Sequence, residues 1–211
     1  MEPPGSLPRG CCGETILNFS LLQVPDELML TMADPSLWYT VLVVFAEPYF
    51  KPVIGVHESR NEFFTNILGR KLTFLTYVIL SYMYSFWAFV FVNSVVASQP
   101  RLQHFQKNEV LIFGYILLLA GLSTKLYTYL TTSVINIMGG HYFKITNAAR
   151  EADPLIDDTY YHPLGTASVV CYFGFSMVQA SMAGLLLTVT LAIAYYTAFH
   201  FERYLVYKTS R

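Results

Sequence analysis

Three short polar clusters interrupt an otherwise apolar chain and hold the groups that could do chemistry. They are Gly139-Gly140-His141-Tyr142-Phe143-Lys144, Tyr160-Tyr161-His162-Pro163 and His200-Phe201-Glu202-Arg203. A glycine pair lets backbone amides approach an anion closely. The imidazole of His162 can donate or accept near neutral pH, and the Glu202 carboxylate can hold an ammonium through charge-assisted hydrogen bonds. Together these groups suit an amphiphilic, zwitterionic ligand. Each cluster alone also has an ordinary structural reading, because paired glycines end helices and charged residues mark the ends of membrane spans.

Other chemistries find no support. Asp153, Asp157 and Asp158 lack the alternating oxygen ligands and the glycine of a Ca²⁺ loop. His141 and His162 have no Cys or Glu partner at zinc spacing, and no serine stands on a strand-to-helix elbow, so neither a metal nor a serine nucleophile is expected. Cys11, Cys12 and Cys171 make no redox or zinc spacing. A net charge of −1, from 13 basic and 14 acidic residues, gives no basic field and excludes nucleic acid as a partner. Residues 1–35 hold one Arg against five carboxylates, so no cleaved leader is expected.

The elements that must position the clusters are membrane helices, since 54% of the residues are hydrophobic and only 13% charged, against about 25% charged in soluble domains. Leu72 to Val96 is 25 residues without a charge, a helix of about 37 Å. Val110 to Met138 is a second run, interrupted by Lys125. Exposing that lysine to lipid costs about 2.5–3.5 kcal/mol on insertion scales, so it is expected to face protein, water or a headgroup. Leu164 to His200 is 37 uncharged residues, too long for one pass through a core of about 30 Å. A bend between Gln179 and Gly184 divides it into helices 164–179 and 180–200. Leu37 to Val56 carries Glu47, Pro48, Lys51 and Pro52 and reads as broken or re-entrant.

The fold class that follows is an all-α integral membrane protein, a compact bundle of about four transmembrane helices plus a broken or re-entrant N-terminal segment. Residues 1–35 form a tail with a short apolar patch, Ile16 to Val24; 36–205 form the membrane domain and 206–211 a short polar tail. Folding 164–200 as a hairpin gathers Arg60, Arg70, Lys71, Lys144, Arg150 and Arg203, with Lys208 and Arg211, on one face. Arg9, Arg101 and Lys107 are left on the other, an asymmetry that places the first face on the cytoplasmic or matrix side. The hairpin also brings the 139–163 loop and Glu202 to that same face.

The order of these residues resembles the phosphatidylethanolamine N-methyltransferase and phospholipid methyltransferase family over roughly residues 47–205. Glu47-Pro48-Tyr49-Phe50 with Glu58 is similar to the family's Asn-Pro-x-x-Trp…Glu stretch, followed by Ser98-Gln99-Pro100-Arg101 in the next loop. Gly140-His141-Tyr142-Phe143-Lys144-Ile145 resembles Gly-Asp-Tyr-Phe-Gly-Ile, and His162-Pro163 sits at Asn-Pro-Met-Tyr-x-Gly. Ala180-Ser181, then Gly184-Leu185-Leu186-Leu187-Thr188-Val189 and Glu202, keep the family spacing.

The resemblance implies S-adenosylmethionine as cofactor, held by Gly121, Gly140, Tyr142, His162 and Glu202, with a membrane phospholipid as partner and no catalytic residue assigned. It implies the endoplasmic reticulum or a mitochondrial membrane as location. Departures fall at the cofactor motifs. The Gly-x-Gly of the third span is Leu119-Ala120-Gly121, whose leucine would crowd a nucleoside, and the paired glutamates are Glu202-Arg203. His141 and Lys144 replace an Asp and a Gly, and Gly165 and Ala167 replace the Tyr and Gly after the Asn-Pro motif. Two functions therefore stand open. One is methylation of the amine of phosphatidylethanolamine or its methylated derivatives. The other is a catalytically degenerate, lipid-binding subunit of a larger membrane complex, with no cofactor and with other membrane proteins as partners.

Overall fold

A computed structural model of the chain describes residues 34–145 and 163–209. Its helices are α1 (Pro35–Asn61), α2 (Phe63–Leu68), α3 (Arg70–Ser98), α4 (Asn108–Thr131), α5 (Val134–Ile137), α6 (Pro163–Val178) and α7 (Met182–Thr209). Short 3₁₀ turns occupy Gln103–Gln106 and Gly140–Phe143. Four helices, namely α1, α3, α4 and the Met182–Tyr204 part of α7, are long and apolar enough to cross a membrane, and α6 is a shorter apolar helix. The protein is an all-α integral membrane protein. α1, α3 and α7 share a core of Leu37, Val44, Val92, Val96, Leu187 and Leu191.

The expected break near Pro48 and Pro52 is absent, because α1 runs through both prolines to Asn61. Each proline removes one backbone donor and costs roughly 3 kcal/mol in an isolated helix. Here they lie one turn apart and are buried against neighbouring helices. The α3 hydroxyls pin the α1 backbone on either side of the stretch, Tyr84 donating to the Val43 carbonyl at 2.9 Å and Tyr77 to that of Lys51 at 3.4 Å. The Tyr49 hydroxyl donates to that of Thr197 of α7 at 2.6 Å, and the Phe50 ring stacks on Tyr84 at 5.3 Å. The carbonyls that lose a helical donor are those of Val44 and Pro48, so these contacts brace the helix beside the prolines and do not replace the lost bonds. The run expected to be helical over 110–138 likewise ends at Thr131, where Thr132 turns extended before α5.

The hairpin forms as expected, with its turn at Gln179–Ser181. The Ser181 amide donates to the Ser176 carbonyl and the Ala180 amide to that of Met177, each at 3.0 Å. This is a Schellman closure of α6, and it sets Ala180 at φ 51°. Ser181 then caps α7, its hydroxyl accepting from the Gly184 amide at 3.2 Å. Gly184 itself must be small, since a Cβ there would lie 2.6 Å from the Ser176 hydroxyl. Ala180, Ser181 and Gly184 thus build the turn. A left-handed alanine costs roughly 1 kcal/mol that glycine does not. Ala180→Gly is therefore expected to raise unfolding stability by about 0.5–1 kcal/mol, read from a denaturant titration in detergent.

α4 packs along α6 through small residues. A Cβ on Gly174 would meet the Leu118 amide at 2.6 Å and the Gly114 carbonyl at 2.7 Å; one on Gly121 would meet Cys171 Sγ at 2.5 Å. Such close approach is the usual means of joining helices in lipid. The Leu102 amide donates to the Ala180 carbonyl at 2.8 Å, so the α3–α4 connection and the hairpin turn lie on one membrane face. The opposite face gathers the ends of α1, α4 and α7 and the starts of α3 and α6. Arg60, Arg70, Lys71, Lys144 and Arg203 are all on it, as the charge asymmetry requires.

Candidate functional site

The basic face opens inward on four ionisable side chains carried by the spans: Glu47 and Lys51 of α1, Lys125 of α4 and Glu202 of α7. Glu47 and Lys51 stand four residues apart, the spacing that puts an ion pair on one side of a helix. Burying charge at membrane depth costs about 2.5–3.5 kcal/mol per group, so two carboxylates and two ammonium groups together compensate one another. Two adjoining cavities separate them. One, of about 110 Å³, is lined by Glu47, Lys51, Ser81, Ser85, Tyr195 and Glu202, among others. The second, of about 360 Å³, shares Glu47, Ser85 and Tyr195 and adds Lys125. Lys125 therefore faces a cavity inside the bundle, as its cost in lipid demands.

Tyr142 enters from the 3₁₀ turn. Its ring lies over Gly55 of α1, where a Cβ would come 2.5 Å from Cδ2, and its hydroxyl donates to Glu202 Oε1 at 2.5 Å. Burial and then the Glu202 charge push the Tyr142 phenol well above its ordinary value. The hydroxyl stays protonated and orients the carboxylate. Gly140 opens the same turn and packs on Ile135, which leaves no room for a Cβ. The turn is tied to α1 by an ion pair between Lys144 and Glu62. The hydrogen bond and charge of Lys144 hold the Glu62 carboxyl below the usual range. A depressed carboxylate stabilises above its unfolded pKa, so this tie weakens as pH falls through the lowered value. Glu58, which is buried, accepts from the Thr65 and Phe64 amides at 2.6 and 3.3 Å and so caps α2.

Of the residues expected at the cofactor, Tyr142 and Glu202 meet and Gly140 sits at the base of their turn. Gly121 does not join them, because it is covered by Ala167 and Cys171 of α6 and lines neither cavity. Leu119 points away from the bundle, 62% exposed, instead of crowding a pocket. Positions two apart on a helix face different ways. His162 lies outside the described residues, although Leu164, two residues on, lines the cavity beside Glu202. Arg203 is exposed, with its guanidinium 5.4 Å from the Phe199 ring centroid, and does not line either cavity. Glu47, Lys51 and Lys125 also line the cavities, although none of them was expected at the cofactor. The signal for them was their presence as charges inside otherwise apolar runs.

No family model matches the chain, and no solved structure does. Phosphatidylethanolamine N-methyltransferase of Rattus norvegicus is 24% identical over 181 residues, covering 80% of this chain and 85% of that protein. The Homo sapiens protein of the same name is 24% identical over 174 residues, with the same coverage of each chain. The chain is thus similar, at a distance and over most of its length, to phosphatidylethanolamine N-methyltransferases.

Proposed function

We propose that the protein transfers a methyl group from S-adenosylmethionine to the amine of a membrane phospholipid, in the endoplasmic reticulum or a mitochondrial membrane. The observation that carries this reading is the half-buried set of two carboxylates and two ammonium groups around paired cavities, in a chain similar over most of its length to phospholipid N-methyltransferases. The residues present fit the amino-acid end of that cofactor. Glu202, oriented by Tyr142, is suited to its ammonium and Lys51 to its carboxylate, whereas Gly121 is committed to helix packing.

The bound cofactor supplies an electrophilic methyl group; the chain supplies position and a proton acceptor. A phospholipid ammonium must shed a proton before its nitrogen can accept a methyl group, and a Glu47 carboxylate oxygen, between the two cavities, is placed to take it. The surrounding helices exclude bulk water. The test is transfer of labelled methyl to phosphatidylethanolamine and its monomethyl derivative by purified protein in nanodiscs, together with equilibrium binding of S-adenosylmethionine. Absence of both transfer and binding would overturn the enzyme reading and leave the lipid-binding subunit. Because Arg203 is exposed and lines neither cavity, Arg203→Glu is expected to leave transfer within about twofold of wild type, as surface changes usually do.

A further inference from the structure

The larger cavity holds more than a proton acceptor. Its back is closed by Leu191, Tyr172 and Tyr195, which are buried or half-buried. Its rim is Tyr82, Phe86 and Phe89 of α3, which are 47%, 63% and 47% exposed. A buried floor and an exposed rim within a membrane span describe a cleft that opens sideways, toward the acyl chains. It exists because α3 packs on α1 and α7 while α4 packs on α6. Two aromatic contacts frame the opening. Phe89 meets Phe175 of α6 at 5.9 Å between centroids, and the Tyr129 phenol of α4 lies beside that of Tyr82. The frame spans seven residues of α3, about 10 Å of helix.

The polar groups inside are few and of opposite sign. Glu47 presents a carboxylate beside the Ser85 hydroxyl, and Lys125 presents an ammonium on the same cavity. Lys125 lies six residues before the end of α4, about 9 Å along the helix from the basic face. Its flexible stem can carry the charge toward a phosphate at that level. Glu47 lies deeper, among aromatic rings. Aromatic walls with a carboxylate are the surroundings that favour ammonium ions, methylated ones included.

We infer that this side-opening cleft is the headgroup site for a zwitterionic amine phospholipid, with Lys125 on the phosphate, Glu47 and the aromatic walls on the amine, and access from within the bilayer. The inference rests on the methyltransferase reading for its consequence, since it sets the lipid amine beside the Glu202 cavity. It stands or falls separately as a binding site. Methylated amines fit as well as the primary amine, so one cleft accepts successive products without rebuilding.

The test is binding to the full-length protein in detergent, with four probes: dihexanoyl phosphatidylethanolamine, dihexanoyl phosphatidylcholine, dihexanoyl phosphatidylglycerol, and dodecyltrimethylammonium, which has the cation without the phosphate. Lys125→Ala is expected to weaken both zwitterionic lipids by about tenfold or more, the scale of a hydrogen bond to a charged group. It should spare dodecyltrimethylammonium, and Lys125→Arg should restore lipid binding. Glu47→Gln should weaken the ammonium probe as well as both zwitterionic lipids. S-adenosylmethionine binding by the wild-type protein is measured on the same samples. Equal binding of all four probes to wild type and Lys125→Ala, or a preference for phosphatidylglycerol, would overturn the headgroup site. Lys125-dependent lipid binding without any S-adenosylmethionine binding would support the site while overturning the methyltransferase reading.

Discussion

Glu202→Gln is expected to lower methyl transfer by about 100-fold or more while the bundle stays folded. The substitution keeps the size and polarity of the side chain and removes its charge. The Tyr142 hydroxyl can still donate to the amide oxygen, so the turn remains docked over Gly55. What is lost is the charge-assisted contact with a cofactor ammonium, roughly 1.5–3 kcal/mol for a hydrogen bond to a charged group and more where water is excluded. The loss also leaves Lys51 and Lys125 facing Glu47 alone, so the cluster moves from balance to an excess positive charge beside a sulfonium. The measurement is single-turnover transfer of labelled methyl alongside S-adenosylmethionine binding. A Glu202→Gln protein with unchanged affinity and rate would remove Glu202 from the site.

Gly174→Leu is expected to have the largest effect on stability, about 3 kcal/mol or more of destabilisation. A Cβ at this position meets backbone atoms, the Leu118 amide and the Gly114 carbonyl, instead of side-chain ends that could swing away. α4 and α6 must separate to admit it, and Gly121 and Gly114 lose their contacts together. Unfolding in detergent reads the loss. A variant as stable as wild type would show that α4 and α6 are not held by close packing. Gly121→Ala belongs to the same interface and is expected to lower stability and activity in parallel, whereas a glycine in direct contact with cofactor would lose binding at unchanged stability.

The spans, the hairpin and the sidedness were legible in the sequence because each rests on composition over many residues. A charge-free run of the length of Leu72 to Val96, or a run too long for one pass, allows few alternatives. The course of α1 was not legible, because Pro48 and Pro52 carry a local penalty while the packing and hydrogen bonds that brace the helix beside them come from Tyr77 and Tyr84, about thirty residues away. The resemblance named Tyr142 and Glu202 each as a cofactor residue, but their hydrogen bond across 60 residues was not legible. The packing of Gly121 on Ala167 and Cys171 was not legible, because a glycine in a membrane helix serves cofactor approach and helix approach equally well in sequence. Ala180, Ser181 and Gly184, the stretch of best resemblance, turn out to determine the fold and not the site.

The close approach of α4 and α6 also fixes the height of the cleft. With no Cβ at Gly114, Gly121 or Gly174, the two backbones interlock and have little freedom to slide along one another. Lys125, one turn beyond Gly121, is thereby held at a set depth against α6, and the cleft beside it cannot deepen unless that pair parts.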